Sequence, residues 1–142
     1  MLQEIAILKS MALFSTLNAT EIEKVAELLH SVNVKKGQVL TEEGALARNF
    51  FIILSGRYKI FSRSGHEIIL SQTGDFIGWA TIIAAPKYLG TCVALSSGEV
   101  LKLSKQDFMG LIQSDAGIGN KIMKKGSELA FTGEPFRKKS TL

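Results

Sequence analysis

Glycines at short, regular intervals are the feature of this sequence that most restricts its fold. Between residues 31 and 103, six glycines each follow a polar or charged residue: Gly37, Gly44, Gly56, Gly65, Gly74 and Gly98. Most of the intervals between them are 7–12 residues long. Short strands at that spacing indicate an antiparallel sandwich or barrel, because each turn returns the chain to a common core.

The stretches between these turns are rich in β-branched and aromatic residues, as strands are. The predicted strands cover residues 39–40, 50–54, 58–61, 67–70, 91–95 and 100–103. Apolar and polar residues partly alternate in 58–61 and 100–103. Such alternation is typical of strands with one face toward solvent.

Two segments with helical spacing of apolar residues precede this region. Residues 2–14 and 20–32 both carry the pattern, and each predicts a helix. In the second segment, Thr20 and Glu23 have the spacing of a capping box, in which each side chain satisfies a backbone N–H of the first turn. A helical start is therefore predicted at Thr20.

Two further helices are predicted after the last strand. Ser104 is placed to cap a helix that runs through Ile112, and Asp115 is placed to cap a second one. The second helix has an apolar stripe formed by Ile118, Ile122, Met123 and Leu129. Residues 131–142 contain charges and turn residues without a period, which predicts a basic, flexible tail.

The net charge of +4 lies entirely in the C-terminal segment. Residues 1–120 contain 11 Lys or Arg and 11 Asp or Glu, whereas the last 22 residues contain six basic and two acidic residues. A solvated helix end with a frayed tail explains this excess, and contact with a polyanion is the alternative.

Length and hydropathy favour one domain without a membrane span. The longest apolar runs, 50–54 and 82–85, are far shorter than the roughly 20 residues that a span needs, and no signal-peptide pattern opens the sequence. The lone cysteine, Cys92, excludes an intramolecular disulfide. We therefore expect a soluble, cytoplasmic protein in which Cys92 is a buried structural thiol.

Enzymatic chemistry has little support in the sequence. A metal-dependent double-stranded β-helix enzyme, such as a cupin, needs several histidines and carboxylates that converge. The chain has two histidines: His30 on the second predicted helix and His66 in a turn. No constellation for acid–base or cysteine nucleophile chemistry is evident, so the chain is predicted not to be an enzyme.

Four stretches resemble, in order, segments of the cyclic-nucleotide-binding domain family, which includes the sensor domains of bacterial catabolite-activator and fumarate-nitrate regulators. They are "ALFSTLNATEIEKVAELL", "VKKGQVLTEEGALARNFFIILSGRYKIF", "GDFIG" and "GEVLKLSKQDFMGLIQ". The resemblance covers residues 8–129. It implies a mainly β fold, a β jelly roll (double-stranded β-helix) with N-terminal helices and two C-terminal helices.

The resemblance also implies a division of the chain. Residues 1–130 form the domain, with helices at about 2–31, the jelly roll at about 32–103 and the C-terminal helices at about 105–130. Residues 131–142 form the tail.

Members of this family hold a 3′,5′-cyclic nucleotide in a phosphate-binding cassette. A Gly-Glu pair leads into a short helix, and an Arg-Ser/Thr-Ala run follows. The Glu accepts a hydrogen bond from the ribose, and the Arg neutralises the phosphate. Here the resemblance places Gly78 at the glycine and Trp79 at the Glu. Anchored on "TCVAL", it places Tyr88 at the Arg, and Leu89 and Gly90 at the next two positions.

The candidate ligand-binding residues are therefore Gly78, Trp79, Ala80, Thr81, Lys87, Tyr88, Leu89 and Gly90. Lys87 is the only cation among them and lacks the planar fork of arginine. Loss of the Arg and Glu contacts removes about 3–6 kcal/mol, or about 10²- to 10⁴-fold in affinity. We expect a small-ligand-sensing regulatory domain with weak or altered binding of cAMP or cGMP. The alternative is a ligand-free protein-interaction module in which Trp79 fills the pocket.

The expected partner is a protein. The stripe of Ile118, Ile122 and Leu129 allows a homodimer through the last helix. Many relatives in the family carry a helix-turn-helix after that helix, and the present chain ends too early for one. Sequence-specific DNA binding is therefore not expected.

Overall fold

The computed structural model describes residues 2–78 and 86–132, the last three of them through the backbone alone. Its α-helices are α1 (Leu2–Ser10), α2 (Ala19–Ala26), α3 (Lys105–Ser114) and α4 (Ala116–Thr132), with a 3₁₀ turn at Ala12–Phe14. The single helix predicted for residues 2–14 is thus divided in two, because a break at Met11 separates α1 from the turn.

Eight strands are present in the described residues. They are β1 (Leu29–Val34), β2 (Val39–Thr41), β3 (Asn49–Ser55), β4 (Tyr58–Phe61), β5 (Glu67–Leu70), β6 (Phe76–Ile77), β7 (Thr91–Ala94) and β8 (Gly98–Ser104). One sheet has the order β1-β8-β3-β6 and the other β2-β7-β4-β5, and all of their pairings are antiparallel. The predicted jelly roll with flanking helices is confirmed.

Strand β3 faces two separate cores, which explains its continuous apolar sequence. Phe50 and Ile52 point toward the helices, where they join a core of residues from α1, α2, α3 and α4. Phe51 and Ile53 point between the sheets and join Tyr58, Ile60, Leu70, Ile77, Cys92, Ala94, Val100 and Val34, here called the inter-sheet core. A strand buried on both faces needs apolar residues at successive positions.

Four phenylalanines attach the helices to the first sheet. Phe14 of the 3₁₀ turn contacts Phe76 and Phe108. Phe50 also contacts Phe76 and Phe108, and all four pairs of ring centroids are 6.0–6.4 Å apart. Three of the four contacts are edge-on, which is a favoured geometry for aromatic pairs. The helices at both ends of the chain are thus packed on the same face of the jelly roll.

The prediction of one helix over residues 20–32 was wrong. Helix α2 ends at Ala26, and the chain enters β1 at Leu29, which pairs with β8 along its whole length. Consequently His30 lies on a strand rather than on a helix. The apolar spacing alone could not reveal this, because the long-range ladder with β8 overrides local helical preference.

The capping box of α2 also lies two residues earlier than predicted. The Asn18 side chain accepts a hydrogen bond from the Glu21 N–H, and the Glu21 side chain accepts one from the Asn18 N–H, both at 2.9 Å. Asn18 and Glu21 have the same three-residue spacing as Thr20 and Glu23, so the motif was right and its position was wrong.

The predicted N-terminal caps of α3 and α4 are both confirmed. Ser104 accepts a hydrogen bond from the Asp107 N–H, and Asp115 accepts one from the Ile118 N–H. In α4, Ile118, Ile122 and Leu129 are buried in the core that the helices form with Phe50 and Ile52 of β3. Most of the tail predicted for residues 131–142 falls outside the described residues.

Candidate functional site

Gly78 follows β6 and turns the chain with a left-handed φ of 89°. A side chain here would be strained, and its Cβ would lie 3.4 Å from Phe50 and 3.6 Å from the Tyr88 ring. Because glycine has no Cβ, β6 ends directly against Tyr88. The structure therefore brings two of the predicted site residues, Gly78 and Tyr88, next to each other.

The phenol of Tyr88 is bound to the backbone at the start of β3. Its hydroxyl donates a hydrogen bond to the Asn49 carbonyl at 2.7 Å and accepts one from the Asn49 N–H at 3.2 Å. The side chain is 9% exposed. Burial raises the pKa of Tyr88, and the backbone hydrogen bonds of Asn49 and Arg48 lower it by a smaller amount.

A phenol has a single proton to donate. In Tyr88 that proton is used by the Asn49 carbonyl, so this side chain acts as a structural anchor. It supplies neither a cation nor a free donor at the position to which the resemblance carries the phosphate arginine.

Backbone hydrogen bonds fix the segment around Tyr88 against the loop that precedes β3. The N–H of Tyr88 donates to Ala45, its carbonyl accepts from the Gly44 N–H, and the Ala47 N–H donates to Pro86, all at 2.9 Å. Residues 86–88 are therefore held as an extended segment beside residues 44–47.

The other described site residues divide between the two sides of this segment. Lys87 and Leu89 are exposed, and Lys87 forms an isolated β-bridge with Leu46. Gly90 is buried, and its carbonyl accepts a hydrogen bond from the Thr41 hydroxyl at 3.0 Å. Trp79, Ala80 and Thr81 lie outside the described residues.

The interior of the jelly roll between the two sheets is apolar. None of the buried residues of the inter-sheet core is charged. Its polar groups include the Tyr58 hydroxyl, which donates to the Ser55 carbonyl at 2.8 Å, and the Cys92 thiol. The prediction that Cys92 is buried is confirmed, and burial raises the pKa of its thiol to about 12.

One important site residue was missed by the sequence analysis. Asn49 contributes both of its backbone polar groups to Tyr88, and a contact made by backbone atoms leaves no signature in residue type. Only the fold reveals it.

Neither metal ligation nor membrane insertion is supported within the described ranges. Residues 2–78 and 86–132 contain no group of three or more His, Cys, Asp or Glu able to hold a metal ion. The His66 ring is exposed and hydrogen-bonds the Ser64 hydroxyl at 3.0 Å. Of the helices described, none is both long and apolar enough to cross a membrane.

Solved structures share this antiparallel jelly roll with flanking helices. The N-terminal domain of a transcriptional regulator from Streptomyces coelicolor superimposes with a TM-score of 0.74 at 18% identity, covering 89% of this chain and 91% of that one. The sensor domain of the transcriptional regulator DNR from Pseudomonas aeruginosa superimposes with a TM-score of 0.70 at 18% identity, covering 92% of this chain and 94% of that one. These likenesses establish the fold.

The sequence itself matches the cyclic nucleotide-binding domain family over residues 31–115, more than half of its length. The chain belongs to this family. It is also 27% identical, over 108 residues, to a cAMP-dependent protein kinase regulatory subunit of Aspergillus fumigatus, a match that covers 75% of this chain and 26% of that subunit. The chain spans about a quarter of the length of the two cAMP-dependent protein kinase regulatory subunits, from Aspergillus fumigatus and Drosophila melanogaster, that it matches.

Proposed function

We propose that this chain is a regulatory sensing domain of the cyclic-nucleotide-binding type that binds cyclic nucleotides weakly or binds an altered small ligand. The observation that carries the proposal is the pair of hydrogen bonds between the Tyr88 hydroxyl and the Asn49 backbone. A cyclic phosphate needs a cation, and this position offers a buried phenol whose hydroxyl is already engaged.

The remaining cation of the candidate site is poorly placed to replace the arginine. Lys87 is exposed, and its backbone is held in a bridge with Leu46. A single ammonium also cannot form the bidentate contact that arginine makes with phosphate. Trp79, at the position of the ribose-binding Glu, removes the second polar contact.

Together these two replacements cost an estimated 10²- to 10⁴-fold in affinity for a cyclic nucleotide, since a charged hydrogen bond contributes about 1.5–3 kcal/mol. The role is regulatory rather than enzymatic, and the site residues are proposed to bind rather than to react.

Titration calorimetry with cAMP and with cGMP tests the proposal. We expect weak or undetectable heat with the native chain and tighter binding after Tyr88→Arg combined with Trp79→Glu, by up to the same 10²- to 10⁴-fold. A thermal melt of each variant is needed, because Tyr88→Arg also removes the Asn49 anchor. The control is Arg57→Gln, which changes an exposed charge distant from the cassette in sequence. Tight binding by the native chain would disprove the proposal.

The engaged Tyr88 hydroxyl favours a second candidate, a ligand-free protein-interaction module. In this case Trp79 and its neighbours fill the pocket. Saturable quenching of Trp79 fluorescence by a cyclic nucleotide supports the sensor, whereas no response to any ligand tested, together with a filled pocket, supports the interaction module.

In either case the proposed partner is a protein, and the proposed location is the cytoplasm.

A homodimer through α4 would have to use its exposed face, which includes Met123 at 38% exposure, because Ile118, Ile122 and Leu129 are buried in the core. Light scattering of the native chain and of Met123→Glu tests that pairing. The proposal includes no sequence-specific DNA binding.

A further inference from the structure

An open groove of about 500 Å³ lies where β3 and α3 begin. It is bordered by Ala47, Arg48, Asn49, Ser104, Lys105 and Gln106, with Met109 at one end. The groove lies outside the inter-sheet core, and Asn49 connects it with the cassette through the backbone groups that hold Tyr88. Its volume is within the range of small-molecule sites, which is about 300–1,000 Å³.

Two cationic residues, Arg48 and Lys105, border this groove. Asn49 and Ser104 are partners in the β3–β8 ladder, and the Lys105 N–H continues the ladder by donating to the Arg48 carbonyl at 2.9 Å. Residues that are directly opposite in an antiparallel pair have Cβ atoms about 4.5–5.5 Å apart, and like charges in such positions destabilise the pair. The backbone bond therefore places two like-charged residues next to each other at the end of the ladder.

Within the described ranges, neither cation has a carboxylate at ion-pair distance. Neither Arg48 nor Lys105 takes part in an ion pair among residues 2–78 and 86–132, although four other ion pairs are formed there. Asp107, two residues beyond Lys105, does not border the groove. Two adjacent cations without a counter-charge are the arrangement that an anionic ligand would neutralise.

We propose that this groove binds a small organic anion with at least two carboxylate or phosphate oxygens. The Arg48 guanidinium supplies a planar, bidentate fork and Lys105 a compact charge. The side-chain amides of Asn49 and Gln106 add donors, and the Ser104 hydroxyl, which accepts from the Asp107 N–H, keeps its own proton to donate. Ala47 and Met109 provide an apolar surface for the carbon skeleton of the ligand.

Such a ligand would also act on the cassette. Asn49 borders the groove and anchors Tyr88, so an anion that orders the start of β3 orders the Tyr88 anchor with it. This role is separate from the binding of a cyclic nucleotide between the sheets, and its test does not depend on that binding.

Calorimetry at low ionic strength with inorganic phosphate and with citrate as separate probes tests the groove. We expect saturable binding of at least one probe, and the stronger one identifies phosphate or carboxylate as the preferred group. Arg48→Gln and Lys105→Gln should each weaken binding by about 10- to 100-fold, the loss of one charged hydrogen bond. The matched control is Arg57→Gln, which removes the same charge from an exposed position that does not border the groove.

The melting temperature without a probe gives a second, independent readout. Arg48→Gln and Lys105→Gln should each raise it slightly, because neutralising one cation relieves the repulsion, and either variant should lose the stabilisation that the probe gives to the native chain. The proposal is overturned if neither probe binds saturably, if Arg57→Gln weakens binding as much as the groove variants do, or if the groove variants melt at a lower temperature than the native chain.

Discussion

The ammonium group of Lys121 on α4 lies 2.6 Å from the carboxylate of Glu21 on α2. A second ion pair joins the same two helices in the opposite sense, with Lys24 of α2 at 2.9 Å from Asp115, the cap of α4. Each carboxylate also accepts a backbone hydrogen bond at the start of a helix. Glu21 accepts from the Asn18 N–H at the start of α2, and Asp115 accepts from the Ile118 N–H of α4. The start of the last helix is fastened to the first part of the chain through these two residues.

These contacts make the stability of the domain dependent on pH. Lys121 and the Asn18 N–H lower the pKa of Glu21 below 4.5, and Lys24 and the Ile118 N–H lower that of Asp115 below 3.8. When folding lowers the pKa of a carboxyl group, the ionised group stabilises the fold at any pH above its ordinary pKa. This stabilisation is lost as the pH falls through the pKa of the folded state. The double variant Glu21→Gln, Asp115→Asn should lose less stability on acidification than the native chain, as measured by urea unfolding.

Glutamine and asparagine keep a neutral acceptor at both caps, so the comparison removes the two ion pairs together with the negative charge at each cap. Glu23→Gln, on the exposed side of α2, is the control and should leave the pH profile unchanged. The difference between the native chain and the double variant should also shrink in about 1 M salt, where the screening length is about 3 Å. Identical acid profiles would show that the ion pairs contribute nothing measurable.

Removing the Tyr88 hydroxyl should destabilise the domain. Tyr88→Phe leaves the N–H and the carbonyl of Asn49 without their partner, at a cost of about 1–3 kcal/mol in the free energy of unfolding. Tyr58→Phe is the matched control, because that hydroxyl makes one hydrogen bond, to Ser55. Equal losses for both variants, measured in urea, would contradict the role of Tyr88 as an anchor with two bonds.

Gly98 should not tolerate a side chain. A Cβ at this position would lie 2.3 Å from the Ser55 carbonyl and 2.7 Å from the Tyr58 hydroxyl, so Gly98→Ala should cost about 1–3 kcal/mol or more. The same substitution at Gly110, an interior position of α3 with open space around it, should stabilise the domain by about 0.5–1 kcal/mol. Thermal melts that move in opposite directions confirm the prediction, and a neutral Gly98→Ala refutes it.

Cys92 should be inert in the folded protein. With a pKa of about 12, only about one thiol in ten thousand is ionised at pH 8, and the side chain has no measurable exposure. A thiol reagent such as dithionitrobenzoate should therefore react only as fast as the domain opens, and at once in denaturant. Rapid labelling without denaturant would mean that β7 opens readily.

Local patterns were sufficient for the elements whose signal lies in a few neighbouring residues. Glycines at turn spacing predicted the strands of the second sheet, and Ser104 and Asp115 predicted the starts of α3 and α4. Strand β1 was missed because its apolar residues also fit a helix, and only its pairing with β8 distinguishes the two.

The glycines also divide into those explained by local turns and one explained by a long-range contact. Gly37, Gly44, Gly56, Gly65 and Gly74 have the positive φ expected of turn residues. Gly98 was predicted to be one of them but is the first residue of β8. It is required for a different reason, the close approach of the Ser55 carbonyl and the Tyr58 hydroxyl, which belong to residues about 40 positions away.

The sequence by itself, through its resemblance to the cyclic-nucleotide-binding domain family, predicted the jelly-roll fold and led to the expectation that Tyr88 occupies the position of the phosphate arginine. These conclusions need only residue types in order along the chain. Only the tertiary structure shows that the Tyr88 hydroxyl is bound to the Asn49 backbone and that the Lys105 N–H donates to the Arg48 carbonyl, because both contacts join residues that are distant in sequence. Contacts between backbone groups of distant residues are set by the ladder and leave no trace in local sequence.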